Sequence, residues 1–189
     1  MKKFLFICAL LCATVSVSAQ DSQLSVKVGV GLSSVAGDDS EGAKNALSYK
    51  VGVGYEYAFS DNFAIEPALM LVNKSMEIEG VEGAINRYYA ELPILAAFKV
   101  ALGDETKLVI NAGPYVAYGL FGTDIEWYDG GTTNIFDSCE RFEAGAQAGI
   151  KIAFGDLSIG ADFTRAFTKC IKDTKTYTQG FGLTFGYSF

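Results

Sequence analysis

The last twelve residues constrain this chain more than any other stretch: Thr178-Gln179-Gly180-Phe181-Gly182-Leu183-Thr184-Phe185-Gly186-Tyr187-Ser188-Phe189. Phe181, Leu183, Phe185, Tyr187 and Phe189 alternate with Gly180, Gly182, Thr184, Gly186 and Ser188. Successive side chains of a strand point to opposite faces, so this strand has one large apolar face and one small or polar face. No loop follows to cover the Phe185-x-Tyr187-x-Phe189 face. A transmembrane β-strand needs such a face against lipid, with aromatics at the level of the interface.

Seven further runs alternate in the same way, at about 24–33, 48–59, 63–74, 87–100, 108–121, 141–154 and 157–167. In the second, for example, Tyr49, Val51, Val53, Tyr55, Tyr57 and Phe59 oppose Lys50, Gly52, Gly54, Glu56 and Ala58. Each run is long enough for a tilted strand to cross a bilayer. The connections alternate in length. Short ones follow runs two, four and six (60–62, 101–107 and 155–156). Long ones follow runs one, three, five and seven (34–47, 75–86, 122–140 and 168–177). Short turns at one end and long loops at the other are the habit of outer-membrane barrels. The expected fold is all-β: an eight-stranded antiparallel up-and-down transmembrane β-barrel. With an even strand number both termini lie at the short-turn end, on the periplasmic side, and the long loops are extracellular.

Alternation alone does not say which face is outside. A lipocalin uses the same pattern with its apolar face inward, around a ligand. The aromatic terminus and the abundance of glycine on the polar face favour the membrane reading, because a narrow eight-strand lumen has room only for small or paired residues. A soluble lipocalin-like binder remains the alternative fold reading.

The N-terminus agrees with export. Met1-Lys2-Lys3 is basic, an apolar stretch follows to Val17, and Val17-Ser18-Ala19 offers a small-residue cleavage site. Residues 1–19 are therefore expected to be a signal peptide and 20–189 the barrel domain. No later stretch is apolar over a helical membrane span. The net charge is −7, and −9 once Lys2 and Lys3 leave with the leader. That balance excludes nucleic acid, which requires a basic footprint. The sequence contains no histidine, and with it go the commonest general base and the commonest transition-metal ligand. No catalytic residues, cofactor or metal are expected.

The chain resembles the small outer-membrane β-barrel family of Gram-negative bacteria, the OmpX/PorT-like group. The resemblance rests on the leader, on Phe63-Ala64-Ile65-Glu66-Pro67 after a short turn, on Tyr89-Ala90-Glu91-Leu92-Pro93-Ile94, on Ala112-Gly113-Pro114-Tyr115-Val116 and on the terminal Phe189. It implies contact with outer-membrane lipid and lipopolysaccharide, and handling by barrel-assembly machinery through Phe185, Tyr187 and Phe189. It leaves open a narrow channel or a component of a secretion system with protein partners at the outer loops. Pro67, Pro93 and Pro114 each remove a ladder donor, and bulges are expected at all three.

Four constellations stand out. By parity Lys27, Lys50, Glu56, Glu66, Glu91, Lys99, Glu143, Lys151 and Asp162 face inward, where charges must be paired or hydrated. Cys139 and Cys170 are the two cysteines of the mature chain. The Gly155-Asp156 turn pairs residues whose numbers sum to 311, which sets the two cysteines nearly opposite each other and predicts a disulfide. Loops 34–47, 75–86 and 122–140 hold eleven acids and one base, a surface suited to cation-bridged lipopolysaccharide or a basic partner. Trp127 and Tyr128 in the longest loop are candidate contact residues. The expected protein is a monomer with a structural or surface-contact role.

Overall fold

A computed structural model describes residues 22–38, 43–78, 85–126, 132–171 and 175–189. The leader expected at 1–19 lies outside them. The strands in chain order are β1 (Gln23–Gly37), β2 (Ala43–Ala58), β3 (Phe63–Ile78), β4 (Ile85–Ala101), β5 (Thr106–Gly122), β6 (Asp124–Glu126), β7 (Thr132–Asn134), β8 (Phe142–Phe154), β9 (Leu157–Ala166) and β10 (Thr176–Ser188). Eight of them close one antiparallel barrel, while β6 and β7 form a separate two-stranded hairpin. Each barrel strand pairs with its neighbours in the chain. The ring closes by pairing β1 with β10, from Ser25↔Ser188 to Gly37↔Thr176. Closure leaves the barrel sheet without an edge.

Apolar side chains cover the outside. On β1, Leu24, Val26, Val28, Val30 and Leu32 are each 41–55% exposed, and Phe181, Leu183, Phe185 and Tyr187 flank them on β10. A continuous apolar belt of this kind is not kept in water. Aromatic residues gather at its two rims. Phe63 packs on Phe98 and Tyr187 on Phe189 at the short-turn end, while Tyr88 stacks on Phe121 and meets Tyr49 at the other. Along β4 the rims are ten residues apart, from Tyr88 to Phe98. At about 3.3 Å per residue and a tilt of about 40°, that spans about 25 Å, the height of an outer-membrane apolar band. The lipocalin orientation is thereby excluded.

The short turns lie at 59–62, 102–105 and 155–156, and the start of β1 and the end of β10 sit beside them: Phe189 N–H donates to the Leu24 carbonyl and Ser188 N–H to that of Asp156. Gly155 makes the tightest turn possible because its positive φ of 54° is closed to most side chains.

Two expectations change. The connections at 34–47 and 75–86 are shorter than the alternation suggested, because β1 to β4 run several residues past the apolar belt. Polar and small residues such as Ser33, Ser34, Lys74 and Ser75 still pair there, their hydroxyls and amides bonded across the barrel wall. The bulges expected at the prolines are also absent. Register is unbroken through Pro67↔Ile94, Pro93↔Tyr115 and Pro114↔Ala146. Pairs are skipped beside Pro67 and Pro93, and no residue is inserted. The register shifts fall instead between Asn45 and Tyr49 and between Tyr88 and Tyr89, near the loop end.

Candidate functional site

The lumen is built in layers. All nine charged residues selected by parity point into it. Nearest the short-turn end, Lys99 Nζ lies 2.8 Å from Glu56 Oε1. Above, Lys151 pairs with Glu66 at 2.5 Å, and Asn111 donates to the same carboxylate at 2.9 Å. Lys50 meets Asp162 at 2.6 Å, with Thr184 donating to the second oxygen at 2.7 Å. Lys27 faces the cavity beside this layer, which measures about 70 Å³ and has room for about two waters. Higher still, Lys74 bridges Glu91 at 2.6 Å and Glu143 at 2.5 Å. Tyr115 donates to Glu143 at 2.8 Å, and the Tyr115 ring faces the Lys74 ammonium at 4.6 Å. Lys74, Glu91 and Glu143 are each about 95% buried. Such charges persist in a low-dielectric interior only as a compensated set. The opposite end is an open vestibule of about 740 Å³ lined by Glu56, Asp61, Lys99 and Lys107.

The longest connection folds back over the upper mouth. After β7, one helical turn (Ile135–Ser138) begins at Asn134, whose side chain accepts from the Phe136 N–H. Ile135 and Phe136 are buried against Val35, Met76, Tyr89 and Tyr115. Phe136 rests on Gly119, where a Cβ would lie 2.4 Å from the ring, so only glycine admits the plug. The next residue past the turn is Cys139, bridged to Ile171, and Glu140 N–H donates to the Cys170 carbonyl.

The disulfide expected between Cys139 and Cys170 is not formed in this structure, although the fold sets the two side by side and buries both. The Cys170 sulfur is engaged otherwise. It accepts from Arg87 Nη1 at 2.6 Å and from Cys139. The hydrogen bond from Cys139, then the Arg87 charge, hold the Cys170 thiol down at about 6, although burial pushes it up. Trp127 and Tyr128, and five of the eleven loop acids (Asp39, Glu41, Glu79, Glu82 and Asp129), lie outside the described residues. Asp38, Asp137 and Glu140 are exposed.

The interior network read from the sequence lacks Lys74, Arg87, Asn111 and Tyr115, although Asn111 and Tyr115 fall on the inward face of their run by alternation. Parity held the signal: Lys74 is even like Glu66 on its strand, and Arg87 odd like Glu91. Lys74 and Arg87 stand at the ends of their runs, where the apolar belt stops.

A closed eight-strand ring with an apolar belt, two aromatic rims and a charge-filled core defines a small β-barrel of the outer membrane. The chain belongs to the family of the outer membrane protein beta-barrel domain, whose pattern matches residues 18–172. No curated protein matches the sequence significantly. Among solved structures, Neisserial surface protein A (NspA) is similar with TM-score 0.56 at 8% identity, covering 90% of this chain and 100% of that one. The outer membrane enzyme PagL has TM-score 0.56 at 14% identity over 86% and 98% of the two chains. The outer membrane protein OprG from Pseudomonas aeruginosa has TM-score 0.54 at 12% identity over 89% and 95%. At these identities the likeness is one of fold.

Proposed function

We propose that this protein is a sealed outer-membrane barrel whose work is done at its loop surface, with no catalysis and no permeation path. One observation carries the reading: the Lys74–Glu91–Glu143 layer and the Phe136 plug together close the lumen above a cavity with room for about two waters. An eight-strand lumen is narrow to begin with, and here the side chains that would line a path are bonded to one another. The short-turn end and both termini face the periplasm, and the loop end faces outward, in keeping with the habit of bacterial barrels. The acids at 34–47, 75–86 and 122–140 then form an anionic rim. It takes divalent cations shared with lipopolysaccharide phosphates, or a basic partner, and Trp127 and Tyr128 add aromatic contact. Phe185, Tyr187 and Phe189 serve assembly into the membrane. The absence of histidine argues against the acyl-transfer and hydrolytic chemistries that rely on an imidazole base. The barrel works as a monomer.

The test compares wild type with a variant whose loop acids are changed to Asn and Gln, in vesicles with and without lipopolysaccharide. Magnesium-dependent retention of lipopolysaccharide by wild type, lost in the variant, supports the reading. Equal retention by both removes the acids from it.

A further inference from the structure

The enclosed charges do not balance through carboxylates. Between the plug and the Lys99–Glu56 layer stand six cations, Lys27, Lys50, Lys74, Arg87, Lys99 and Lys151, against five carboxylates, Glu56, Glu66, Glu91, Glu143 and Asp162. Each of these carboxylates is engaged by a lysine. Arg87 is fully buried, yet no carboxylate lies within ion-pair distance of it among the described residues. Its Nε and Nη2 have no hydrogen-bond partner there, and Nη1 points at the Cys170 sulfur, 2.6 Å away. A buried guanidinium without a counter-charge is costly, so the sulfur is its natural anion. Beside that sulfur stands a second cysteine, which hydrogen-bonds to it.

We propose that Cys139 and Cys170 form an exchangeable thiol–disulfide site, with Arg87 stabilising its dithiol form, so that the tether between the plug turn and the β9–β10 connection opens and closes with low-molecular-weight thiols and disulfides. In closing, the Cys170 thiolate attacks a sulfur of an external disulfide RSSR, forming Cys170–S–S–R and expelling RS⁻. Cys139 then loses its proton and attacks the Cys170 sulfur, forming the internal bond and expelling a second RS⁻. The protein gives up two electrons, which leave with the two thiolates. Opening takes two thiolates: the first RS⁻ attacks Cys139, forming Cys139–S–S–R and expelling Cys170 as the thiolate that Arg87 receives, and the second attacks the outer sulfur, forming RSSR and releasing Cys139, which takes up a proton. A good leaving thiolate and a stabilised dithiol both make a disulfide easy to reduce. The bond is therefore a latch and not a permanent staple. Cys139 directly follows the helical turn that carries Phe136, so the latch acts on the plug.

The groups facing Cys170 are Arg87 and Tyr89 from β4, Glu143 from β8, Thr178 from β10, and Cys139. With the sulfur as thiolate above about pH 6, making the dithiol from the disulfide with reduced glutathione releases one proton. The test uses the full mature chain folded in detergent and equilibrated in mixtures of reduced and oxidised glutathione. Free thiols are alkylated and the two forms are read by mass. Both forms are expected within the glutathione range. The exchange constant toward dithiol should rise about tenfold from pH 7 to pH 8. Arg87→Gln should lower it on the order of tenfold, and Arg87→Lys should keep most of it. If Arg87→Gln does not fold, as judged by loss of heat-modifiable migration, the wild-type pH dependence decides. A pair that stays dithiol in fully oxidised glutathione overturns the proposal. So does a disulfide that is reduced only after denaturation, or an exchange constant that does not change with pH.

Discussion

Lys74→Met isolates the buried charge layer beneath the plug. In the native protein the Lys74 ammonium sits between Glu91 at 2.6 Å and Glu143 at 2.5 Å, and its side chain is 4% exposed. The substitution keeps the stem's bulk and removes the charge. Two buried carboxylates then face each other, with the Tyr115 hydroxyl donating to Glu143. Removing one partner of a buried ion pair costs about 3–5 kcal/mol, a large share of the stability of a small domain. The cost comes from the stranded carboxylates and not from the lost contact. The triple variant Lys74→Met, Glu91→Gln, Glu143→Gln should therefore return to within about 2 kcal/mol of wild type, since exchanging a whole buried charge set for neutral groups is often close to neutral. Urea unfolding of protein refolded into lipid vesicles, read by unboiled gel migration, measures both. A loss below about 1 kcal/mol for Lys74→Met would mean that water screens the layer. A triple variant as weak as the single one would refute the account of why the single one is weak.

Three further outcomes follow from the same geometry. Val28 stands outward in mid-belt on β1, 48% exposed, so Val28→Arg should cost about 2–4 kcal/mol in vesicles by the same unfolding assay. Gly119→Leu places a side chain where Phe136 rests, so it should cost about 1–3 kcal/mol and speed alkylation of Cys139 and Cys170 by releasing the plug. The Cys170 thiol is held at about 6 in the fold and lies near 9 ordinarily, so the reduced protein binds fewer protons folded than unfolded between those values. Its stability should rise with pH across that window and fall as pH drops through about 6; subtracting the profile of Cys170→Ser isolates the effect.

The barrel itself was legible because period-two alternation has one physical meaning in each strand, and the alternation of short and long connections fixes the order. The inward placement of Glu66, Lys151 and Asp162 came from the same parity. Their partners did not, because which lysine reaches which carboxylate depends on strand tilt and stagger. Lys151 sits on β8 and Glu66 on β3, eighty-five residues apart in the chain. The plug was hidden for a different reason. Ile135-Phe136 reads as a short apolar break in a polar loop, and only the glycines on β5 that receive it mark its seat. Arg87 is the clearest loss: in the sequence it reads as a polar strand end, and only the fold sets Cys170 against it. The proline bulges failed because a missing donor in a long, closed ladder is absorbed by skipped pairs, with no residue inserted.

The most direct test of the sealed barrel is conductance across a planar lipid bilayer. The folded wild-type protein should insert without opening a steady ionic path at moderate voltage, and Gly119→Leu combined with Lys74→Met should conduct, with openings that vanish when the layer is rebuilt. Steady single-channel currents from the wild type, unchanged by either substitution, would contradict the account.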